Sequence, residues 1–121
     1  MSQSKEDYVK FLYETSQGDV VSNKDIAQGL QIKPSSVSEM ILKLSADGLV
    51  DYKPYQGIKL TDKGMSLAKE MIRKHEIWEY FLEHTLQYDP QKVHDLAEVL
   101  EHVTPLELAD SLAEYIAYPN D

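Results

Sequence analysis

The stretch Val93-His94-Asp95-Leu96-Ala97-Glu98-Val99-Leu100-Glu101-His102-Val103 decides how this chain is read. On a helix advancing 100° per residue, with His94 set to zero, Glu98 falls at about +40°, Glu101 at about −20° and His102 at about +80°. Four side chains able to bind a metal therefore share one arc. Leu96, Val99, Leu100 and Val103 fall at roughly 140° to 240°, an apolar stripe expected to dock against a core. The expectation is a helix with one face for packing and one for chemistry. His75 and Glu79, four residues apart on an earlier helical stretch, add imidazole and carboxylate donors that can converge with these on a divalent cation.

Composition narrows the classes around that stretch. The 121 residues include no cysteine, which excludes disulfides, thiolate metal sites and cysteine nucleophiles, so any bound cation must be held by nitrogen and oxygen. No apolar run is long enough to span a bilayer and the amino terminus does not resemble a signal peptide, so a soluble, cytoplasmic protein with no membrane partner is expected. The net charge of −9 is unevenly spread. Residues 1–60 carry seven Lys and eight acids, a balance of −1, whereas residues 61–121 carry five Lys and Arg and thirteen acids, a balance of −8. A near-neutral first half can still offer a basic edge to DNA, and an acidic second half suits cation capture.

Working back from the stretch, Ser4-Lys5-Glu6-Asp7 reads as a capping box for a first helix over 5–16, ended by Gln17-Gly18-Asp19. Ser22 begins a second helix, Asn23 to Leu30, with Ile26, Ala27 and Leu30 inward. Gln31-Ile32-Lys33 forms a tight connection, and Pro34 opens a third helix through Val37, Ile41 and Leu44 to Ala46. Two short helices joined in this way form a helix-turn-helix pattern. Leu49 to Tyr52 and Gly57 to Leu60 alternate apolar and polar across Lys53-Pro54-Tyr55-Gln56, the pattern of a β-hairpin wing. Thr61-Asp62 starts a long helix to about residue 86, Asp89-Pro90 caps the opening stretch, and Thr104-Pro105-Leu106-Glu107 reads as a capping box for a last helix to about Ala117. The fold class expected is mainly α: a winged helix-turn-helix DNA-binding domain over 1–61, then an all-α helical dimerisation and metal-binding domain over 62–121.

The DNA surface falls on Pro34, Ser35, Ser36, Ser38, Glu39 and Lys43 of the third helix, with Lys53, Tyr55 and Gln56 in the wing. Hydroxyls and the amide-rich start of a helix suit phosphates and base edges, and a Glu can accept from cytosine N4. So few cations predict modest affinity per subunit and a need for dimerisation. His84, without an acidic partner at helical spacing, reads as a surface residue.

The order of elements, with Lys-Glu-Asp-Tyr at 5–8, Pro-Ser-Ser-Val at 34–37, Asp-Gly-Leu-Val at 47–50, Arg-Lys-His at 73–75 and the stretch over 93–103, resembles the diphtheria toxin repressor family of metal-dependent bacterial transcriptional regulators, in particular its manganese-responsive members. The resemblance implies a primary regulatory site of Asp7, Glu98, Glu101 and His102, and an ancillary site to which His75, Glu79 and His94 contribute. It also implies a homodimer that binds a palindromic double-stranded operator when loaded with metal, acting as a repressor of metal-uptake genes. Some iron-responsive members have Cys where this chain has Glu98, and an oxygen donor there favours the harder ion, so Mn²⁺ is expected ahead of Fe²⁺. Zn²⁺, Co²⁺ or Cd²⁺ are expected to substitute in vitro. Lys10 stands where a two-domain manganese-responsive relative has Glu, which argues against a binuclear site using that position. Longer members carry an SH3-like third domain, and Tyr118-Pro119-Asn120-Asp121 falls where its linker would begin, so a short form or a truncation is expected. Two alternatives stand beside this reading: a metal-dependent hydrolase using the same His and Glu cluster, against which no His-Glu-x-x-His spacing is present, and a metal-independent winged-helix regulator.

Overall fold

The computed structural model describes residues 3–16 and 18–117. Three helices come first, α1 (Gln3–Ser16), α2 (Asn23–Leu30) and α3 (Pro34–Ala46), followed by an antiparallel pair, β1 (Val50–Lys53) and β2 (Gly57–Leu60). Then come α4 (Asp62–Tyr80), a π-helical turn Phe81–Thr85, α5 (Pro90–Val103) and α6 (Leu106–Tyr115). Packing divides the chain into two compact units, Met1–Lys69 and Glu70–Asp121, the division falling inside α4.

In the first unit the helix signals act as local chemistry requires. The Ser22 hydroxyl accepts from the Asp25 N–H at the start of α2, and Pro34 occupies the first turn of α3, where its missing N–H costs nothing. Gln31 ends α2 in the left-handed region, φ 57°, turning the chain into α3. Val9, Leu12, Ile26, Val37, Ile41, Leu44, Leu49 and Ile58 are almost fully buried and form one core. Burying each such side chain contributes about 1.5–3 kcal/mol before the entropy of ordering is subtracted. The hairpin register pairs Val50 with Leu60 and Lys53 with Gly57, placing Leu60 and Ile58 inward. Val21 adds a third extended segment, exchanging 2.8 Å hydrogen bonds with Ile58 in both directions. At the base of the wing the Thr61 hydroxyl accepts from the Gly64 N–H and donates to the Gly48 carbonyl, which seats α4 against the hairpin.

Three local expectations are corrected. Ser4 lies inside α1 and does not cap it, so the capping box with Asp7 is absent; the Gln17 part of the expected helix stop lies outside the described residues. Thr104 does not cap α6 either: its hydroxyl donates to the Leu100 carbonyl at 2.5 Å and accepts from Trp78 Nε1 at 2.8 Å, closing α5 onto α4, and the residue preceding α6 is Pro105, with no side-chain cap. The long helix does not stay in α register to 86; it widens to a π turn at Phe81, with Leu86 N–H bonding to the Phe81 carbonyl.

The second unit buries Met71, Ile77, Leu82, Val93, Ala97, Ala109 and Ala113. The packed side of α5 is Val93, Ala97 and Glu101, not the apolar stripe expected from the sequence. Leu96, Val99 and Val103 are 36%, 59% and 69% exposed, so the helix turns its large apolar side chains outward and buries Glu101, while His94 stays exposed and Glu98 half-buried. The physical reason lies in the donors themselves: the His75 imidazole on α4 and the Glu101 carboxylate on α5 satisfy one another at close range.

Candidate functional site

In the second unit, α4 and α5 bring five of the expected ligands together. His75 is buried on α4, and its Nδ1 lies 2.6 Å from Oε1 of Glu101, whose side chain is 0% exposed. The same Nδ1 is 3.9 Å from Oε1 of Glu98, while Nε2 faces Oε2 of Glu79 at 3.2 Å. His94 joins from the first turns of α5, its Nδ1 3.3 Å from Glu79 and its Nε2 3.3 Å from Glu98. The two imidazoles meet edge to face, 4.9 Å between centroids. His102 extends the row, Nε2 3.9 Å from Oε2 of Glu101, with only 4% of its side chain exposed.

The helical spacing explains the convergence: His75 and Glu79 are one turn apart on α4, and His94, Glu98 and Glu101 follow each other along one side of α5. Donor atoms of His75, Glu79 and His94 lie within 4.8 Å of one another, as do those of His75, Glu98 and Glu101. Three carboxylates around two imidazoles concentrate negative charge in a partly buried place, an arrangement that a divalent cation satisfies and that water does so less well. The set contains only oxygen and nitrogen, which fits a borderline-to-hard ion. A His that binds metal through one ring nitrogen commonly donates the other N–H to a carboxylate, the relation His75 has with Glu101.

Asp7 lies exposed on α1 in the first unit, on an open hollow of about 450 Å³ whose walls include Tyr8, Ile32, Ser36, Glu39 and Lys43. The neighbouring Tyr8 phenol is pushed up from its ordinary value by burial. His84 is exposed, its ring stacked obliquely on Tyr80 at 4.4 Å.

On the other candidate face, Pro34, Ser35, Ser36, Ser38, Glu39 and Lys43 are all exposed along α3, and Lys53, Tyr55 and Gln56 are exposed at the hairpin turn. Lys43 and Glu39 form an exposed i, i+4 pair at 3.8 Å. Ser38 is engaged within the protein: its hydroxyl donates to the Pro34 carbonyl at 3.1 Å and accepts from Asn23 Nδ2 at 2.8 Å. Tyr55 sits at φ 65° in the turn closed by Gln56 N–H to the Lys53 carbonyl, a backbone region that disfavours a bulky residue, with its ring fully exposed. Sequence reasoning missed Leu42, 65% exposed on the same face of α3; counting helical positions outward from Val37, Ile41 and Leu44 would have found it.

Comparison with known proteins also divides the chain in two, between residues 58 and 61. Residues 1–58 match the iron dependent repressor N-terminal DNA binding domain, and residues 61–121 match the iron dependent repressor metal binding and dimerisation domain. The chain is 33% identical to the HTH-type transcriptional regulator MntR of Lysinibacillus sphaericus over 93% of its length and 81% of the relative's, and 32% identical to MntR of Bacillus subtilis over 95% and 81%. Among solved structures it is similar to ScaR with bound Zn²⁺ (41% identity, TM-score 0.83, 95% of this chain) and to the manganese regulator SloR (39%, TM-score 0.79, 98%). It spans about half of those two chains, 54% and 56%. These relatives are transcriptional regulators, so the hydrolase alternative falls, and the match of the second half to a metal-binding domain removes the metal-independent alternative. No helix among the described residues is long and apolar enough to cross a membrane. A winged helix-turn-helix, an all-α second unit with clustered metal donors, and matches to both domains lead to one conclusion: the chain belongs to the iron-dependent repressor family, the diphtheria toxin repressor type of metal-dependent transcriptional regulators.

Proposed function

We propose that this chain acts in the cytoplasm as a homodimer that binds a palindromic operator when loaded with Mn²⁺, repressing metal-uptake genes. Residues 1–61 read the DNA and residues 62–121 hold the metal and dimerise. The observation that carries the proposal is the cluster of His75, Glu79, His94, Glu98 and Glu101 on α4 and α5, in the same chain as a winged helix. The cysteine-free donor set favours Mn²⁺, with Fe²⁺ as the second physiological candidate and Zn²⁺, Co²⁺ or Cd²⁺ as substitutes in vitro. SloR is a manganese regulator, and ScaR has been crystallised with Zn²⁺ and with Cd²⁺.

His75, Glu79 and His94 form the ancillary ligand set, and Asp7 joins Glu98, Glu101 and His102 in the regulatory set. A bound ion supplies the positive charge that lets these carboxylates and imidazoles share one site. Because Asp7 belongs to the winged domain and the other regulatory ligands to the second, occupancy selects the arrangement of reading heads that fits two half-sites about one DNA turn, or a multiple of it, apart. Leu96, Val99 and Val103 of α5, with Leu106 and Leu108 of α6, are large, exposed and apolar, which supports their burial against a second copy. Ser35, Ser36, Glu39 and Lys43 contact bases and phosphates, Pro34 fixes the start of the reading helix, Ser38 holds it, and Lys53, Tyr55 and Gln56 contact the flanking backbone.

The test selects duplexes from a randomised pool with the Mn²⁺-loaded protein, then measures their affinity with Mn²⁺ and with chelator at fixed salt. A palindromic consensus whose affinity drops at least tenfold on chelation is expected. Equal affinity in both conditions refutes the corepressor role.

A further inference from the structure

Leu42 is the one large apolar side chain on the outward face of α3. With Val37 set to zero on a 100° helix, the buried Val37, Ile41 and Leu44 lie within about 40° of the core direction, while Ser35, Glu39 and Leu42 lie at about 160°, 200° and 140°. Leu42 is 65% exposed there. A single exposed leucine is ordinary, but this one has company: Tyr52, 46% exposed on β1, faces it across a hollow of about 150 Å³ also walled by Asn23, Ser38, Ile41 and Ile58. The hollow therefore opens between the reading helix and the wing. Its polar edge is turned inward, since Asn23 donates to the Ser38 hydroxyl at 2.8 Å and that hydroxyl donates to the Pro34 carbonyl.

The face belongs to a DNA-binding domain, so its occupant is a duplex. Along the major-groove edge of DNA the apolar group is the C5-methyl of thymine, every other distinguishing feature being a hydrogen-bond donor or acceptor. We propose that Leu42, backed by Tyr52, is a sequence-reading residue that takes the methyl group of one thymine in each operator half-site. The inference rests on the operator reading above. It assigns a base preference to a side chain that can form no hydrogen bond, beside the proposed polar contacts of Ser35 and Glu39.

Removing the methyl while leaving pairing intact isolates the contact. Duplexes selected with the Mn²⁺-loaded full chain are resynthesised with deoxyuridine in place of thymine, one symmetric pair at a time, and measured by fluorescence anisotropy at fixed salt. One buried methyl is worth about fourfold in affinity, hence about fifteenfold for two half-sites. One symmetric position is expected to show that loss with wild type and none with Leu42→Ala, which should itself bind the thymine duplex about as weakly as wild type binds the uracil one. If every thymine methyl proves dispensable, or if Leu42→Ala retains the full uracil penalty, the inference is overturned while the operator reading stands. A protein that selects no duplex overturns both.

Discussion

Replacing Glu101 by glutamine preserves the shape of the side chain, removes its charge, and should erase about half or more of the stability that metal confers. The Glu101 carboxylate is wholly buried and 2.6 Å from Nδ1 of His75, so no solvent-exposed group can take its place. A carboxylate so placed either ligates the ion or orients the imidazole that does, and loss of an orienting partner alone weakens metal affinity about 10- to 100-fold. With free Mn²⁺ at 100 times the wild-type Kd, binding stabilises the folded protein by about 2.7 kcal/mol. The same logarithm leaves about 1.4 kcal/mol for a tenfold weaker variant and about 0.4 kcal/mol for one weakened a hundredfold. Urea unfolding can be followed through the only tryptophan, Trp78, which bonds to Thr104 at the end of α5 and so reports on the unit that holds the cluster. Protein concentration is held constant because self-association of any kind shifts apparent stability. A metal increment in Glu101→Gln equal to that of wild type would refute the reasoning, leaving the buried pair with a structural role alone.

Other perturbations test other links. Gly64→Ala should lower the urea midpoint by an amount equivalent to about 1–3 kcal/mol, although alanine is the better helix former by about 1 kcal/mol, because its methyl would run into the Leu49 carbonyl oxygen and come within 3.0 Å of Leu60 Cδ2. A raised midpoint would show that the contact relaxes freely. Val103→Glu, at a residue 69% exposed in the single chain, should leave far-ultraviolet circular dichroism unchanged but convert the proposed dimer to monomer in sedimentation at micromolar concentration; an intact dimer would place the interface elsewhere. The Lys5 ammonium, bonded at 2.8 Å to Asp47, holds that carboxyl below its ordinary 3.8. The native-state pKa is therefore the lower one, and the contribution of the pair is present above about pH 4 and is lost as pH falls through the depressed value. Unfolding curves of wild type and Lys5→Ala should differ above pH 4 and converge below it; a constant difference would mean that Lys5 acts through packing.

Much of the molecule was legible in the order of its residues because local chemistry decided it. Ser22, Pro34, Thr61 and Asp89 start helices where short-range hydrogen bonding and a fixed proline φ require them to. Alternation across Lys53-Pro54-Tyr55-Gln56 sufficed for the wing, and helical spacing sufficed to put His94, Glu98 and Glu101 on one side of α5. What periodicity could not reveal is which side of an amphipathic helix meets its own chain. Leu96, Val99 and Val103 look like a core stripe to any rule based on hydrophobicity, yet the structure turns them outward and buries Glu101 beside His75, because a charged pair from two helices meets only once both are packed. For the same reason Thr104 passes for a cap until Trp78 is seen to claim its hydroxyl, and Leu42 passes unnoticed until the hollow it shares with Tyr52 is assembled. Contacts within a few residues are written in the sequence; contacts between side chains tens of residues apart exist only after the chain has folded.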